Sequence, residues 1–274
     1  MATRREVVRF VLIDILFAAP AGAQIRNIRK FLDQCPQNDP AYAQIRADFE
    51  LRRAGLPAVV GACSEPVSAM PTSAYTDELI VLQGLRVVFY MDRGQSGLYP
   101  WTNGLTLYNW MKTKIGGVDI QPAGGSFCCE TFNGKLFVGI GSQDDFNREF
   151  DKKWIGIAGN IDLYTHEVRH VDGFPHVSCC GIANGCDDSF VQSNLSPYGT
   201  QWWLNKLWLD GTINVGVGCM PPLEKGEALN WFRGGANSQY ASRFCNNKPA
   251  ELPAPAAPGG PCLDTTRHRA VGHR

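Results

Sequence analysis

Three of the five histidines of this chain lie within one short segment, and their spacing restricts how that segment can fold. The segment runs from His166 to His176 and reads H-E-x-x-H-x-x-G-x-x-H. Residues four apart share one face of an α-helix, so His166 and His170 can present their imidazoles to the same point. Gly173 can adopt a positive φ, which would end the helix and turn the chain so that His176 approaches from another side. The segment therefore predicts a helix, a sharp turn and three converging imidazoles.

Three imidazoles that converge in this way are typical of a catalytic zinc site. They leave the fourth tetrahedral position open, whereas a structural site is closed by a fourth protein ligand. Glu167, beside the first histidine, is placed to act as a general base on water at that position. The two remaining histidines, His268 and His273, lie near the C-terminus. We therefore predict one catalytic Zn²⁺ bound by the three histidines of the motif.

On these residues the sequence resembles the metzincin clan of zinc metallopeptidases. Metzincins have a methionine-containing turn beneath the metal, downstream of the third histidine. Met220 is the only methionine after His176, so the resemblance assigns the methionine turn to Met220. An ordinary buried methionine is the alternative interpretation. The resemblance is confined to the histidine motif and this methionine, and it does not extend to one family of the clan.

The resemblance implies an α+β fold of the zincin or metzincin type. That fold has a small sheet, an active-site helix at residues 157–172, and a C-terminal subdomain that is mostly helical or irregular. Residues 24–173 would form the N-terminal subdomain and residues 174–248 the C-terminal one, with a protein or peptide substrate in the cleft between them. The implied activity is that of a zinc-dependent endopeptidase, in which Glu167 is the general base for attack of water on the peptide bond.

Two other classes of function remain open. One is a zinc hydrolase that acts on a non-protein amide or ester. The other is a disulfide-stapled extracellular binding module whose zinc is structural or absent. Glu167 argues against the binding module, because a structural site does not need a carboxylate beside its first ligand.

Four further residues are candidates for supporting the site. Asp162, one turn before His166, and Asp172 can accept hydrogen bonds from imidazole N–H groups, or they can be solvated helix residues. Tyr198 and Tyr240 are candidate donors to an oxyanion that develops during hydrolysis. The sequence does not distinguish between the two tyrosines.

The N-terminal residues have the pattern of a secretory signal peptide. Basic residues at the start are followed by the mostly apolar residues 10–20 and by the small residues Ala21-Gly22-Ala23. This pattern predicts that residues 1–23 are a signal peptide and that the protein is secreted or periplasmic. The alternative is that residues 7–19 are the buried face of a first helix.

The ten cysteines favour the same compartment. An even and high number is typical of disulfide-bonded proteins in an oxidising environment. Two pairs are adjacent in sequence, Cys128/Cys129 and Cys179/Cys180. Because neighbouring cysteines rarely bond each other without strain, we expect these four to bond with distant segments.

Composition argues against several classes of partner, although a balanced total charge leaves room for a local basic patch. Lys and Arg (26) balance Asp and Glu (26), so no overall field attracts nucleic acid or an anionic membrane. The 44% hydrophobic and 19% charged residues are typical of a globular protein. No apolar run reaches the roughly 18 residues needed to span a bilayer. Residues 249–261 are rich in proline, and this composition predicts a flexible tail over residues 249–274. We expect no nucleic-acid partner and no membrane span, and the oligomeric state stays open.

Hydrophobic periodicity and turn residues predict the main elements of secondary structure. The expected helices lie at residues 25–34, 41–53, 76–90, 105–115 and 197–209, with a further helical stretch from residue 144 to Gly173. A short strand is expected at 118–121, and Asn133-Gly134 predicts a hairpin of strands 127–132 and 135–140. Met220-Pro221-Pro222 is expected in a loop.

Overall fold

The structure is a computed structural model, and it describes residues 25–92, 95–123, 125–179 and 181–254. The predicted signal peptide and residues 255–274 of the predicted tail lie outside these ranges. The helices of the described residues are α1 Ile28–Leu32, α2 Tyr42–Asp48, α3 Asp77–Met91, α4 Leu107–Lys114, α5 Asp145–Asp151, α6 Trp154–His170, α7 Pro197–Leu209 and α8 Pro222–Gly234. The strands are β1 Glu50–Arg53, β2 Leu56–Pro57, β3 Gly117–Gln121, β4 Phe127–Phe132, β5 Lys135–Gly141, β6 Val177–Cys179 and β7 Ile182–Cys186.

A mixed five-stranded sheet has the strand order β2-β1-β3-β5-β4. The three central strands, β1, β3 and β5, run parallel to one another, while β2 and β4 are antiparallel edge strands. The predicted hairpin of β4 and β5 is confirmed, and Asn133 and Gly134 both have the positive φ that its type I′ turn requires. Together with the helices this sheet makes the fold α+β, as predicted. Strands β6 and β7 form a separate antiparallel pair.

The predicted helix over residues 41–53 is too long. Helix α2 ends at Asp48, and the next residues leave the helix to form β1 in the sheet. The Glu50 N–H donates to the carbonyl of Gly116 at 2.9 Å, and Leu51 is buried in the core. The partner strand is more than 60 residues away in sequence, so a long-range pairing overrides the local helical pattern.

Helix α8 and the hairpin of β6 and β7 were missed by the sequence analysis. Met220 and Pro221 lie outside a helix as expected, but Pro222 begins α8, because proline is well tolerated in the first turn of a helix. The buried residues of α8 are Lys225, Ala228, Leu229 and Phe232. Their spacing is that of one helical face, so a detectable signal was present in the sequence.

Helix α6, which carries the histidine motif, is held in the centre of the fold. On one side lies α3, which is buried along nearly its whole length. Gly84 makes the close approach possible, since a Cβ there would lie 2.9 Å from the ring of Tyr164 in α6. On the other side α7 packs through Trp208, whose ring meets that of Trp154 at 5.4 Å. The motif therefore sits on a rigid helix.

Three disulfides join pairs of described cysteines: Cys35–Cys63, Cys128–Cys129 and Cys179–Cys186. The bond between Cys128 and Cys129 contradicts the expectation that adjacent cysteines bond to distant segments. In a regular strand these two side chains would point to opposite faces of the sheet. The pairing of β4 with β5 shifts register between Cys128 and Glu130, so the regular alternation is broken at this point.

None of the helices in the described part of the chain is both long enough and apolar enough to cross a lipid bilayer.

A buried carboxyl group at the end of α5 should make the unfolding free energy of the protein depend on pH. Asp151 is 3% exposed, and its Oδ1 accepts a hydrogen bond from Asn160 Nδ2 at 2.9 Å. Burial raises the pKa of Asp151 to about 7, Asp77 adds to this rise, and Asn160 and Arg148 oppose it. Because the pKa is higher in the folded than in the unfolded state, the protonated form contributes stability below about pH 4. That contribution is lost as the pH rises toward 7.

We expect Asp151→Asn to remove most of this pH dependence. Relative to the variant, the wild type should lose about 2–4 kcal/mol of unfolding free energy between about pH 4 and 7. Urea unfolding across this range measures the difference. Asp145→Asn is the control, because the Asp145 side chain of the same helix is 77% exposed. Parallel curves for wild type and Asp151→Asn at every pH would contradict the prediction.

Candidate metal centre

The structure brings the three histidines of the motif together. His166 and His170 lie in the last two turns of α6, and Gly173, with φ +86°, turns the chain directly after the helix. His176 follows this turn and precedes β6. One ring nitrogen from each of the three histidines lies within 4.8 Å of the other two, and the Nε2 atoms of His166 and His176 are 3.0 Å apart. The local geometry predicted from the spacing is therefore present.

Each imidazole uses its Nδ1 atom to contact an oxygen acceptor. The contacts are His166 Nδ1 with Gln201 Oε1 at 2.8 Å, His170 Nδ1 with the Phe174 carbonyl at 2.5 Å, and His176 Nδ1 with Asp187 Oδ1 at 3.2 Å. A carbonyl or carboxylate oxygen accepts hydrogen bonds and donates none. Each Nδ1 therefore carries the proton, and each Nε2 keeps a free lone pair.

This donor set fits a metal cation. Two Nε2 lone pairs at 3.0 Å repel each other unless a positive charge lies between them. Two nitrogens that each bind zinc at 2.0–2.1 Å in tetrahedral geometry are about 3.3 Å apart, close to the spacing seen here. Hydrogen bonds at Nδ1 of the kind described above are the usual means of orienting histidine ligands. The residues present are thus suited to hold one zinc ion.

The surroundings of His166 and His170 favour the neutral imidazole, which is the form that binds metal. Burial, together with the neighbouring His170 and His176, lowers the pKa of His166 to about 3. Burial also lowers the pKa of His170, against the opposing effect of its hydrogen bond with the Phe174 carbonyl. At neutral pH a cation would therefore not need to displace protons from these two ligands.

Glu167 is a buried carboxyl group beside the histidines. It is 5% exposed, and burial raises the pKa of Glu167 to about 7, while His176 opposes this rise. A carboxyl group with a pKa near the ambient pH can both accept and return a proton. Glu167 is thus a buried carboxyl group next to the imidazoles, with a pKa near neutral pH.

A cavity of about 500 Å³ opens beside Glu167, within the size range of ligand-binding clefts. The start of edge strand β4 forms one wall, which includes Phe127 and Cys128. Residues of the histidine motif and of the turn after it also line the cavity. The ring of Phe127 lies across Gly139 of β5, where a Cβ would come within 2.3 Å of it. The cavity therefore joins the candidate metal site to the edge of the sheet.

The structure distinguishes between the two candidate tyrosines. The ring of Tyr198 stacks on that of His176, with 4.8 Å between centroids and 25° between planes, and it meets His166 edge-on at 4.7 Å. Burial raises the pKa of Tyr198, so its hydroxyl remains a donor at neutral pH. The Tyr240 hydroxyl donates instead to Asp162 at 3.2 Å. Tyr198 is thus the tyrosine of the site.

The two candidate aspartates bind side chains other than the imidazoles. Asp162 is fully buried, and its Oδ2 accepts hydrogen bonds from Asn205 and Tyr240. Asp172 pairs with Arg169 at 2.5 Å and with Lys114 at 2.6 Å. The structure gives the expected acceptor role to Gln201, Asp187 and the Phe174 carbonyl instead. No sequence signal indicated Gln201, and Asp187 was visible only as half of an acidic pair with Asp188.

Met220 is buried, with 5% exposure, in the main hydrophobic core. It follows a short 3₁₀ turn, and the preceding Gly216 lies against the backbone of Arg26. The described contacts do not join Met220 to the histidines. Its assignment as the methionine turn stays a prediction.

Comparisons of the chain with protein-family models, curated proteins and solved structures found no match. The site is therefore interpreted from its own residues.

Proposed function

We propose that this protein is a zinc-dependent endopeptidase of the metzincin type. In this proposal His166, His170 and His176 hold one catalytic Zn²⁺, and Glu167 is the general base. The observation that carries it is the convergence of three Nε2 lone pairs beside a buried carboxyl group in an open cavity. A site that only stabilised the fold would need neither the carboxyl group nor the cavity.

The donor set supports zinc in a catalytic role. Three neutral imidazoles suit zinc, and among the described residues the group contains no fourth histidine, cysteine or carboxylate. When bound in such a site, zinc supplies Lewis acidity and makes water nucleophilic at neutral pH.

The residues around the three ligands have distinct proposed roles. Glu167 accepts a proton as water attacks the scissile carbonyl, and it returns that proton to the leaving amine. Tyr198, which stacks on the third ligand, donates a hydrogen bond to the developing oxyanion. The burial that raises the pKa of Glu167 favours both of its proton transfers near neutral pH.

A peptide is the substrate class that the cavity supports best. One wall of the cavity is β4, an edge strand whose outer side pairs with no other strand of the described chain. Unpaired backbone groups of an edge strand can bind an extended peptide by adding it to the sheet. A small amide or ester lacks the extended backbone that could pair with this edge strand.

An oxidising compartment is part of the proposal. The disulfide Cys35–Cys63 joins residues 28 apart in sequence and Cys179–Cys186 joins residues 7 apart, and such bonds are typical of secreted proteins. The second of these closes the β6–β7 hairpin next to His176.

The test is cleavage of a mixed peptide library by the purified, oxidised, zinc-loaded protein. We expect cleavage that a zinc chelator abolishes and that added Zn²⁺ restores. Hydrolysis of small amides or esters without peptide cleavage would favour the non-protein hydrolase. Absence of any hydrolysis by a protein that retains its zinc would contradict an enzymatic role and favour a binding module.

A further inference from the structure

One buried carboxylate, Asp187, contacts two separate parts of the candidate site. Its Oδ1 lies 3.2 Å from His176 Nδ1, and its Oδ2 accepts a hydrogen bond from the backbone N–H of Tyr198 at 2.7 Å. The side chain is 1% exposed. Both oxygens are thus used inside the fold, and each binds a residue of the site.

The backbone of Asp187 is itself firmly held. Its N–H donates to the carbonyl of Arg243 at 2.9 Å, next to an isolated parallel bridge with Phe244. Asp187 directly follows Cys186, which pairs with Val177 across the β6–β7 hairpin. Since Val177 directly follows His176, the third ligand and its acceptor flank the same end of this hairpin. The Cys179–Cys186 disulfide closes the hairpin.

The second contact of Asp187 reaches the start of α7. Tyr198 lies in the first turn of α7, where backbone N–H groups lack partners within the helix and favour an anion. The same helix carries Gln201, whose side chain contacts His166 Nδ1. The Asp187 carboxylate therefore fixes His176 relative to α7, the helix whose Gln201 contacts His166.

A buried carboxylate at Asp187 would be stabilised by a positive charge nearby. Buried carboxylates are stable when they are compensated by positive charge and hydrogen bonds. The described residues give Asp187 no ion pair with a lysine or an arginine, and the side chain that its Oδ1 contacts is the imidazole of His176. A divalent ion on the other nitrogen of His176 would supply this charge through the ring.

We propose that Asp187 is a positioning residue that orients His176 for the metal and holds Tyr198 stacked on it. The carboxylate makes the imidazole a more basic ligand, and its second oxygen keeps the ring of Tyr198 over the same imidazole. This inference rests on the proposed metal site. The neighbouring Asp188 has no such role, because its side chain accepts a hydrogen bond from Asn246 at an exposed position.

The test compares zinc affinity in the wild type, in Asp187→Asn and in the control Asp188→Asn. Asparagine has one acceptor oxygen, so it can accept a hydrogen bond from either His176 Nδ1–H or the backbone N–H of Tyr198. Its amide NH₂ group then lies against the other N–H, and two donors cannot bond with each other. Competition with a chromophoric chelator should show about 10- to 100-fold weaker zinc binding in Asp187→Asn and little change in Asp188→Asn. The visible spectrum of the Co²⁺-loaded protein should change in the same variant only.

A measurement on the wild type keeps the inference testable if Asp187→Asn does not fold. In ¹⁵N-histidine NMR spectra of the full chain, Zn²⁺ should shift Nε2 of His176, while its Nδ1–H stays protected from solvent exchange. An Nδ1–H that exchanges freely, or equal zinc affinity in Asp187→Asn and wild type, would overturn the inference. Failure of the wild type to bind zinc would instead overturn the proposed function itself.

Discussion

Replacing Glu167 with glutamine is expected to lower kcat/KM for peptide cleavage by about 10³- to 10⁴-fold, the upper part of the range for general acid–base catalysis. Glutamine has nearly the same size and shape as glutamate but cannot accept a proton from water at neutral pH. Glu167 is not one of the three imidazole ligands, so the variant should retain zinc. The loss should therefore appear in kcat, with the metal content unchanged.

The control for this prediction is Glu227→Gln, a substitution at an exposed position of α8. Both variants should bind one zinc ion and unfold at temperatures close to that of the wild type. Peptide cleavage at the wild-type rate by Glu167→Gln would remove Glu167 from the mechanism. Loss of zinc from that variant would mean that the carboxyl group has a different role, as a ligand.

Replacing His170 with alanine is expected to have the largest effect on metal binding. Structural zinc sites bind with about 10–16 kcal/mol through four ligands, or roughly 2.5–4 kcal/mol per ligand. Loss of one imidazole should therefore weaken zinc binding by about 10²- to 10³-fold. His170 is only half-buried, so the substitution leaves the core of α6 intact.

Thermal unfolding with and without zinc gives an independent readout of this effect. A ligand at 100 times its Kd stabilises the folded state by about 2.7 kcal/mol, so zinc should raise the Tm of the wild type. At the same zinc concentration His170→Ala should show little or no rise. His268→Ala, outside the motif, is the control and should behave as the wild type. An equal zinc-induced rise in His170→Ala would exclude the three-histidine site.

Local sequence determined the centre of the site. The spacing of His166 and His170 places both on one helical face, and Gly173 turns the chain toward His176. These relations involve residues a few positions apart, whose geometry follows from helix periodicity and from the positive φ that glycine adopts without strain. Helix α7 and the Asn133-Gly134 hairpin were predictable for the same reason.

Strand β1 and the Cys128–Cys129 bond could not be predicted from the local sequence. The residues of β1 continue a helical pattern, and only pairing with β3, far away in sequence, makes them a strand. The adjacent cysteines meet where β4 changes register against β5, and no short-range pattern indicates that irregularity.

The partners of the histidines were also decided by tertiary structure alone. Gln201 lies 35 residues from His166 in sequence, and the packing of α7 along α6 brings its side chain into contact with the His166 ring. Asp187 becomes the acceptor for His176 because the β6–β7 hairpin folds back on itself. The sequence by itself determined which side chains can bind a metal, because ligand spacing is a local property. Packing between distant segments decided which oxygens orient those ligands, because hydrogen bonds form between whichever groups the fold brings within reach.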